Sequence, residues 1–287
     1  MSTSILRNIY RYPVKSMGGA ALERTSVDAQ GIPGDRCWAV RDEERGGIKG
    51  GKRFASLMGL TASLQEEPSA DKRSPAVSIT TPAGETITSS DPQRDAKLSA
   101  AVGAPVTLWP LLPAEQLEHY RRTPPEPGTD MEQSLREVFA RTADEPLPDL
   151  SAFPAELMAY ESPPGTYFDA YPLLIMSEQS LATMQQQASD SQIDVRRFRP
   201  NLVVDIDAGG FPEEQWIGQS LAIGTAILKV EIACPRCVMT THGFADLPKD
   251  HRVMRHLVQQ NDGNLGVYAS VVRMGDIKVG DSVTPMT

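Results

Sequence analysis

The chain has 287 residues, a length that allows one large domain or two closely packed ones with a proper hydrophobic core. Apolar residues make up 40% of it and charged residues 23%, values typical of a folded protein that exclude wholesale disorder. The formal net charge is -9, so the overall field does not favour binding to nucleic acid or to anionic membranes. Any bound anion must therefore be held by a local cluster of basic residues.

Cysteine content and hydropathy indicate the compartment. Three cysteines in this length argue against a disulfide scaffold. The first residues, MSTSILRNIYRYPVKS, lack a long apolar segment, and no apolar run in the chain is long enough to span a bilayer. We therefore expect a cytoplasmic protein without membrane insertion and without a nucleic-acid partner.

Strand signals dominate both ends of the chain. β-branched and aromatic residues are concentrated in residues 5–14, 22–27, 37–40, 202–206 and 226–233. Short strands joined by glycine turns, such as the Gly-Ile-Pro-Gly-Asp turn at 31–35, are typical of a barrel or sandwich. The sequence therefore predicts a β-rich α+β fold.

Residues 110–165 differ in composition from the strand-rich ends of the chain, because they contain several clusters of proline. This segment predicts a connector wrapped around one helix that begins near Asp130, whose carboxylate can cap the helix while Gln133 reaches back. The apolar stripe of that helix consists of Met131, Leu135, Val138 and Phe139. Further helices are predicted to start at Ser177 and to cover residues 248–260, with Gly263 as the C-cap of the latter.

The motif ACPRCVMTT at 233–241 contains Cys234 and Cys237. A structural zinc site needs four ligands, and the chain offers no second pair of cysteines. A thioredoxin-type dithiol needs a helix that opens at the motif, whereas Val-Met-Thr-Thr is β-prone and follows a strand. Two alternatives stay open: a thiol that binds a soft metal while Arg236 holds an anionic group, or two small core residues.

The arginines before the strand at 202–206 differ in their expected roles. Arg196 and Arg197 are interpreted as solvated residues, because nothing in the sequence assigns them a partner. Arg199 immediately precedes the strand and is interpreted as facing inward.

Four motifs occur together and span nearly the whole chain: YPVKS at 12–16, GDRCWAV at 34–40, FRPNLVV at 198–204 and CPRCVMTT at 234–241. In this combination the chain resembles the MOSC superfamily with its N-terminal β-barrel domain, and within it the mitochondrial amidoxime-reducing component and its bacterial relatives. The resemblance implies a β-barrel-like N-terminal domain packed on a MOSC β-barrel core with peripheral helices. The expected division is an N-terminal domain at 1–110, a Pro-rich connector with a helix at 111–165 and the MOSC core at 166–287.

The resemblance also implies a molybdenum cofactor, a pyranopterin dithiolene that carries Mo. Cys237, the second cysteine of the motif, corresponds to the family's metal ligand and is the expected catalytic residue. The expected cofactor contacts, carried over by position, are Lys15, Ser16, Arg36, Arg199, Asn201 and Arg236, with Ser177 and Thr240 in looser motifs. A thiolate and charge-assisted donors suit a metal and a phosphate.

The activity implied by the resemblance is reduction of N-hydroxylated compounds, namely N-oxygenated bases, amidoximes and hydroxylamines, without pyridoxal phosphate. Electrons are expected from a separate partner of the ferredoxin-like, flavin reductase or cytochrome b5 type, since the three cysteines cannot form a further iron–sulfur domain. The alternatives are a cofactor carrier, a persulfide-transferring protein or a scaffold without chemistry. His242 follows the threonine pair where the relatives have Val-Asp-Pro, which leaves the substrate range open.

Overall fold

The computed structural model describes residues 4–154 and 156–286. The strands of the first half are β1 (Ser4–Arg11), β2 (Ala20–Leu22), β3 (Arg24–Val27), β4 (Trp38–Asp42), β5 (Ile48–Lys49), β6 (Thr61–Leu64), β7 (Val77–Thr80), β8 (Thr86–Thr88) and β9 (Val106–Pro110). Those of the second half are β10 (Leu173–Ser177), β11 (Leu202–Asp205), β12 (Ser220–Ile223), β13 (Ala226–Pro235), β14 (Asn264–Arg273), β15 (Gly275–Lys278) and β16 (Ser282–Met286). The helices are α1 (Arg94–Val102), α2 (Leu117–Tyr120), α3 (Met131–Val138), α4 (Glu156–Ala159), α5 (Glu178–Gln187), α6 (Val195–Phe198) and α7 (Arg252–Asn261).

A closed barrel of seven strands forms the larger β unit. Its order is β11–β10–β14–β13–β12–β16–β1, and β1 pairs with β11 to complete the ring. Closure satisfies the hydrogen-bonding groups of every strand edge in the ring. Inward side chains such as Ile175, Val204, Leu228 and Val267 fill the interior and are fully buried. The prediction of a β-rich α+β fold with a barrel core is confirmed.

The strand that closes this barrel comes from the N-terminus. Leu6 and Ile9 of β1 are both fully buried in the barrel core, although an odd spacing would place them on opposite faces of a regular strand. The register of β1 against β11 shifts between Leu6 and Asn8, which restores Ile9 to the inward face. The first strand of the chain thus belongs physically to the same core as its last strands.

Two smaller sheets build the N-terminal unit, with strand orders β5–β4–β9 and β6–β7–β8. Their apolar faces and helix α1 enclose a second core that includes Val40, Leu57, Ile79 and Leu98. Strand β3 lies outside these two sheets: it pairs with β15, and Val27 of β3 and Ile277 of β15 are buried in the barrel core.

The helix starts predicted at Asp130 and Ser177 are correct, whereas α7 begins at Arg252, four residues after the predicted start at 248. The apolar stripe of α3 is only partly buried. The Asp130 carboxylate accepts a hydrogen bond from the Gln133 backbone N at 3.1 Å, as expected of an N-cap. The Gln133 side chain does not reach back and instead donates to Glu137. Met131 is 55% exposed, and α3 has no fully buried residue, because this short helix lies on the surface of the connector.

The two later helices follow their local signals. Ser177 caps α5, and its Oγ accepts from the Ser180 backbone N at 3.0 Å. Helix α7 ends at Asn261, where Asp262 is the left-handed C-cap with φ of 51°, so the cap lies one residue before the predicted Gly263. In the described part of the chain, none of the helices has the length and apolar character needed to cross a bilayer.

Candidate functional site

A cavity of about 190 Å³ opens where loops of the N-terminal unit meet the barrel, and it is many times larger than the space for one bound water. Its lining brings together distant parts of the chain. The predicted site residues that line it are Lys15, Ser16, Arg36, Arg199, Asn201, Arg236 and Cys237. The other two predicted residues, Ser177 and Thr240, do not belong to the lining.

Three of the lining residues have a left-handed backbone. The φ angles are 68° at Ser16, 46° at Arg36 and 58° at Arg199, a region that non-glycine residues rarely adopt. Each such residue costs about 1–3 kcal/mol, and strain of this kind concentrates where a site requires a particular side-chain direction. Three such residues around one cavity therefore indicate that it is functional.

Arg199 provides a buried cation with an unused donor. Its guanidinium lies over the Tyr12 ring, 4.3 Å from the centroid, and its Nη1 donates to the Met17 carbonyl. Its Nη2 is buried and has no hydrogen-bond partner among the described residues. Burial, together with Arg36, lowers the pKa of Arg199 to about 10, which leaves it protonated at neutral pH. An anion in the cavity would satisfy both the charge and the free N–H.

Arg36 is oriented by its neighbours. It forms an ion pair with Asp35, its Nη1 donates to the Asn201 side-chain oxygen at 3.2 Å, and its Cζ lies 5.3 Å from the Tyr12 ring centroid. The same oxygen of Asn201 accepts from the Leu174 backbone N at 3.2 Å. Asn201 therefore positions Arg36 and the start of the neighbouring strand, in addition to lining the cavity.

Lys15 carries a buried ammonium that already has an acidic partner. Its Nζ donates to an Asp169 carboxylate oxygen at 2.6 Å and to the Tyr167 carbonyl at 2.8 Å. Burial lowers the pKa of Lys15, and the ion pair opposes that shift. Partial loss of hydration disfavours the charge on the half-exposed Asp169 carboxyl, but Lys15 and Lys52 hold its pKa well below the usual range. A phosphate at this position would compete with Asp169 for Lys15.

Sequence reasoning missed Asp169 and Lys52, and both line the cavity. Lys52 follows Gly50 and Gly51, and a Cβ on Gly50 would lie 2.6 Å from the Ser16 Oγ. The absence of this carbon allows the loop to approach Ser16, whose Oγ accepts from the Gly51 backbone N at 2.8 Å. A glycine pair followed by a lysine after a strand is a loop signal that could have identified Lys52.

The two cysteines of the motif have different surroundings. Strand β13 has a register shift between Ala233 and Pro235, so Cys234 lies in a bulge, where it is buried. Arg236 Nη1 approaches the Cys234 Sγ at 3.0 Å, and burial nevertheless raises the pKa of this thiol despite that cation. Cys237 is half-buried and lines the cavity. Cys234 also lies in the cavity lining but is only 1% exposed, so Cys237 is the more accessible thiol of the pair.

The segment after Cys237 differs from the strand that its composition suggests. Val238–Thr241 forms a 3₁₀ turn, in which the Thr240 Oγ1 donates to the Cys237 carbonyl at 3.0 Å. Thr240 is thus a fully buried support for the backbone at Cys237. Ser177 lies elsewhere: its hydroxyl donates to the buried Glu213 carboxylate at 2.6 Å while capping α5.

Arg197 is fully buried, so its interpretation as a solvated residue is wrong, whereas its neighbour Arg196 is exposed. The Arg197 guanidinium donates to the carbonyls of Thr240 at 3.3 Å, His242 at 3.0 Å and Pro248 at 2.8 Å. These acceptors lie at the end of the cysteine motif and in the loop that follows it, so Arg197 fixes this segment from inside. No periodic signal in the sequence distinguishes Arg197 from Arg196, because three of the four carbonyls that accept from Arg197 lie 43 residues or more away, and the fourth is that of Gln192.

The cavity residues fit an anionic organic group with a metal. Arg199 Nη2 and Arg236 Nε are buried N–H groups without partners in the described structure, and Cys237 shares the cavity with them. A guanidinium N–H that is shielded from water gains most from a charged acceptor, and a thiol next to cations is a suitable ligand for a soft metal. The fold and site thus define a barrel protein with a cationic cavity that has a half-buried thiol in its lining.

Comparison with protein families agrees with this class. The MOSC domain matches residues 163–284, and the MOSC N-terminal beta barrel domain matches residues 3–104. The chain belongs to the MOSC family with an N-terminal MOSC β-barrel domain, as the motifs predicted.

Individual relatives share part of the chain. Mitochondrial amidoxime reducing component 2 of Bos taurus is 32% identical over 133 residues, which cover 42% of this chain and 38% of the relative. The Homo sapiens protein of the same name is 34% identical with the same coverage. The match thus spans less than half the length of these relatives. Among solved structures, the YuaD protein from Bacillus subtilis covers 98% of this chain and 94% of its own at 13% identity, with a TM-score of 0.42.

Proposed function

We propose that the protein is a molybdenum-cofactor-dependent reductase of N-hydroxylated compounds. The observation that carries the proposal is the convergence, in one cavity, of the half-buried Cys237 thiol with unpaired N–H groups of Arg199 and Arg236. The names of the relatives, amidoxime reducing components, supply the reaction class.

The proposed roles follow from the local chemistry. Cys237 would ligate the metal as a thiolate, and Arg199, Arg236 and Arg36 would hold the anionic and pterin parts of the cofactor. When bound, the cofactor supplies the two electrons that, with two protons, convert an N–OH group into N–H and release its oxygen as water. The electrons come from a separate protein of the ferredoxin-like, flavin reductase or cytochrome b5 type.

Lys15 has a more specific role in this proposal. Its ammonium is shared among Asp169, the Tyr167 carbonyl and the Ser162 hydroxyl. Because these three acceptors already use its N–H donors, the Lys15 ammonium would contact a phosphate only if the phosphate replaced Asp169. We therefore assign the first anion contact to the arginines and a secondary, charge-balancing contact to Lys15.

The test uses protein purified from a host that makes the cofactor. We expect about one Mo per chain, because the proposal places one ligating thiolate in each chain. With reduced viologen as the electron donor, the Mo-loaded protein should reduce a simple amidoxime repeatedly. Full Mo loading without turnover on amidoximes and hydroxylamines would replace the reductase with a cofactor carrier, and zinc without Mo would remove the cofactor assignment itself.

A persulfide-transfer function is the second candidate, because two thiols flank Arg236 and lie at one cavity. Transfer needs a reactive thiolate, and burial raises the pKa of Cys234. The pKa of the remaining cysteine, Cys37, is raised by burial to about 12, and this residue belongs to the N-terminal core. The buried environments of Cys234 and Cys37 therefore disfavour a sulfur relay and support the reductase proposal.

A further inference from the structure

The cavity has an apolar wall besides its basic residues. Of the five connector residues described in its lining, four are apolar, namely Phe139, Leu150, Phe153 and Met158. Tyr171 and Tyr268 from the barrel unit continue this surface: the Phe153 and Tyr268 rings have centroids 6.4 Å apart, and those of Tyr171 and Tyr268 are 5.6 Å apart. The connector thus contributes an aromatic surface to the cavity that contains Cys237.

This wall begins beside the cysteine motif. Tyr268 on β14 pairs with Ile232 on β13, two residues before Cys234, and both Tyr268 and Cys234 line the cavity. Phe153, Tyr171 and Tyr268 are each only half-buried, so parts of their rings remain available to a bound molecule. An apolar group held on these rings would lie in the same cavity as Cys237.

The chemistry of the wall differs from that of the cofactor contacts. A phosphate or an electron-rich pterin gains hydrogen bonds from arginines, and it gains none from Phe153 or Met158. Met158 is 62% exposed at the cavity, and a flexible thioether in such a position adapts to apolar partners of varied shape. Aromatic and methionine side chains are the usual lining of small-molecule subsites.

We propose that this wall is a substrate subsite that binds the aromatic or otherwise apolar part of an N-hydroxylated compound, and that Phe153 and Met158 determine this preference. The inference rests on the reductase function proposed above. It predicts that aromatic amidoximes are bound better than hydroxylamine, which has no apolar part to place on the wall.

The experiment compares benzamidoxime with hydroxylamine, with reduced viologen as the donor, in Phe153→Ala and Met158→Ala. Met131→Ala is the matched control, because Met131 is also an exposed methionine of the connector but lies outside the cavity lining. Loss of an aromatic contact should raise the KM for benzamidoxime about three- to tenfold in Phe153→Ala. Met158→Ala should raise it less, and the hydroxylamine kinetics, the Mo content and the control should not change.

A binding measurement separates this inference from the reductase proposal. Calorimetry with benzamidine, an aromatic product-type amidine, reports the subsite whether or not the protein turns over. Weaker benzamidine binding in both variants without any wild-type turnover would support the subsite and overturn the reductase. Wild-type turnover with unchanged or equally changed kinetics for the two substrates would overturn the subsite and leave the reductase in place.

Two further outcomes are decisive. A loss of Mo in Phe153→Ala or Met158→Ala would assign the wall to the cofactor and overturn the inference. If Phe153→Ala does not fold, Met158→Ala decides alone, because the exposed Met158 side chain contributes little to the core.

Discussion

Two thiols that are three residues apart differ in burial and partners, so we expect different roles for them. Both line the cavity, but Cys234 is enclosed in a strand bulge next to Arg236, whereas Cys237 is half-buried. Cys237→Ser should abolish reductase activity and lower the Mo content, because serine replaces the proposed metal ligand. Cys234→Ser should retain Mo and cost about 1–3 kcal/mol of unfolding free energy, since it buries a hydroxyl in place of a thiol.

Metal analysis and urea unfolding of both variants check this prediction. An active Cys237→Ser protein combined with an inactive Cys234→Ser protein would reverse the ligand assignment. Equal loss of activity in the two variants would favour a dithiol or persulfide mechanism over a single metal ligand.

The charge state of Asp169, in the cavity lining, should control how the stability of the protein depends on pH. Partial loss of hydration opposes ionisation of this half-exposed carboxyl, but Lys15 and Lys52 outweigh it and hold the carboxyl pKa below its ordinary value of 3.8. A depressed carboxyl pKa contributes stability that is complete above that ordinary value and is lost as the pH falls towards the folded-state pKa. Asp169→Asn should therefore be less stable than wild type at neutral pH, with a gap that narrows below about pH 4.

The midpoints of urea unfolding of wild type and Asp169→Asn, at neutral and at acidic pH, measure this difference in stability. Asp71→Asn serves as the control, because Asp71 is an exposed carboxylate outside the cavity lining. A gap between wild type and Asp169→Asn that stays constant down to the acidic end would show that the ion pair with Lys15 does not contribute to stability.

At the scale of elements, strand β1 makes the barrel dependent on the N-terminus of the chain. Leu6 is fully buried in the barrel core, and β1 closes the ring between β11 and β16. Leu6→Ala should lower the unfolding free energy by about 2–5 kcal/mol, through lost burial and the cavity left behind. Trp216 belongs to the barrel core and can report this change by fluorescence once Trp38 and Trp109 are replaced by phenylalanine.

Ile79→Ala provides the comparison for this element. Ile79 is equally buried but belongs to the core of the N-terminal unit. If the two cores unfold separately, the unfolding transition reported by Trp216 fluorescence should shift more in Leu6→Ala than in Ile79→Ala. If the two cores unfold together, the two variants should shift it equally. A Trp216 transition that does not respond to Leu6→Ala would contradict the packing of β1 in the barrel.

At the scale of the whole molecule, the cavity depends on both units. Lys15, Arg36 and Lys52 come from the N-terminal unit, whereas Arg199 and Arg236 come from the barrel unit. A ligand that contacts both sides stabilises their association, by about 2.7 kcal/mol when its concentration is a hundred times its Kd. The Mo-loaded protein should therefore unfold at a higher temperature than the apo-protein, in one transition.

The variant Arg199→Ala should weaken this stabilisation. Loss of one charge-assisted contact lowers cofactor affinity by roughly ten- to a hundredfold. Arg196→Ala is the matched control, because Arg196 is exposed and paired with Asp194 and Asp246 at the surface. The calorimetric melting temperatures of the loaded and apo forms check the prediction, and an equal loss of cofactor in the two variants would exclude a specific role for Arg199.

Local signals in the sequence sufficed where the cause is local. The caps at Asp130 and Ser177 depend on a hydrogen bond to a backbone N three residues ahead, and both were predicted. Alternation along β13 predicted a buried strand, and motif order predicted the family and a set of site residues most of which line the cavity. Each of these features can be predicted from residues that are neighbours in the sequence or from a motif of the family.

Tertiary structure decided the rest. Arg197 is buried and donates to carbonyls that lie more than 40 residues away along the chain. Asp169 belongs to the site because Lys15, from the N-terminal unit, forms an ion pair with it. Ser177 lies away from the cavity because Glu213, 36 residues later, binds its hydroxyl. Composition and spacing determined the β-rich fold and its motifs, whereas long-range strand pairing determined which side chains share the cavity, because such contacts have no local periodicity.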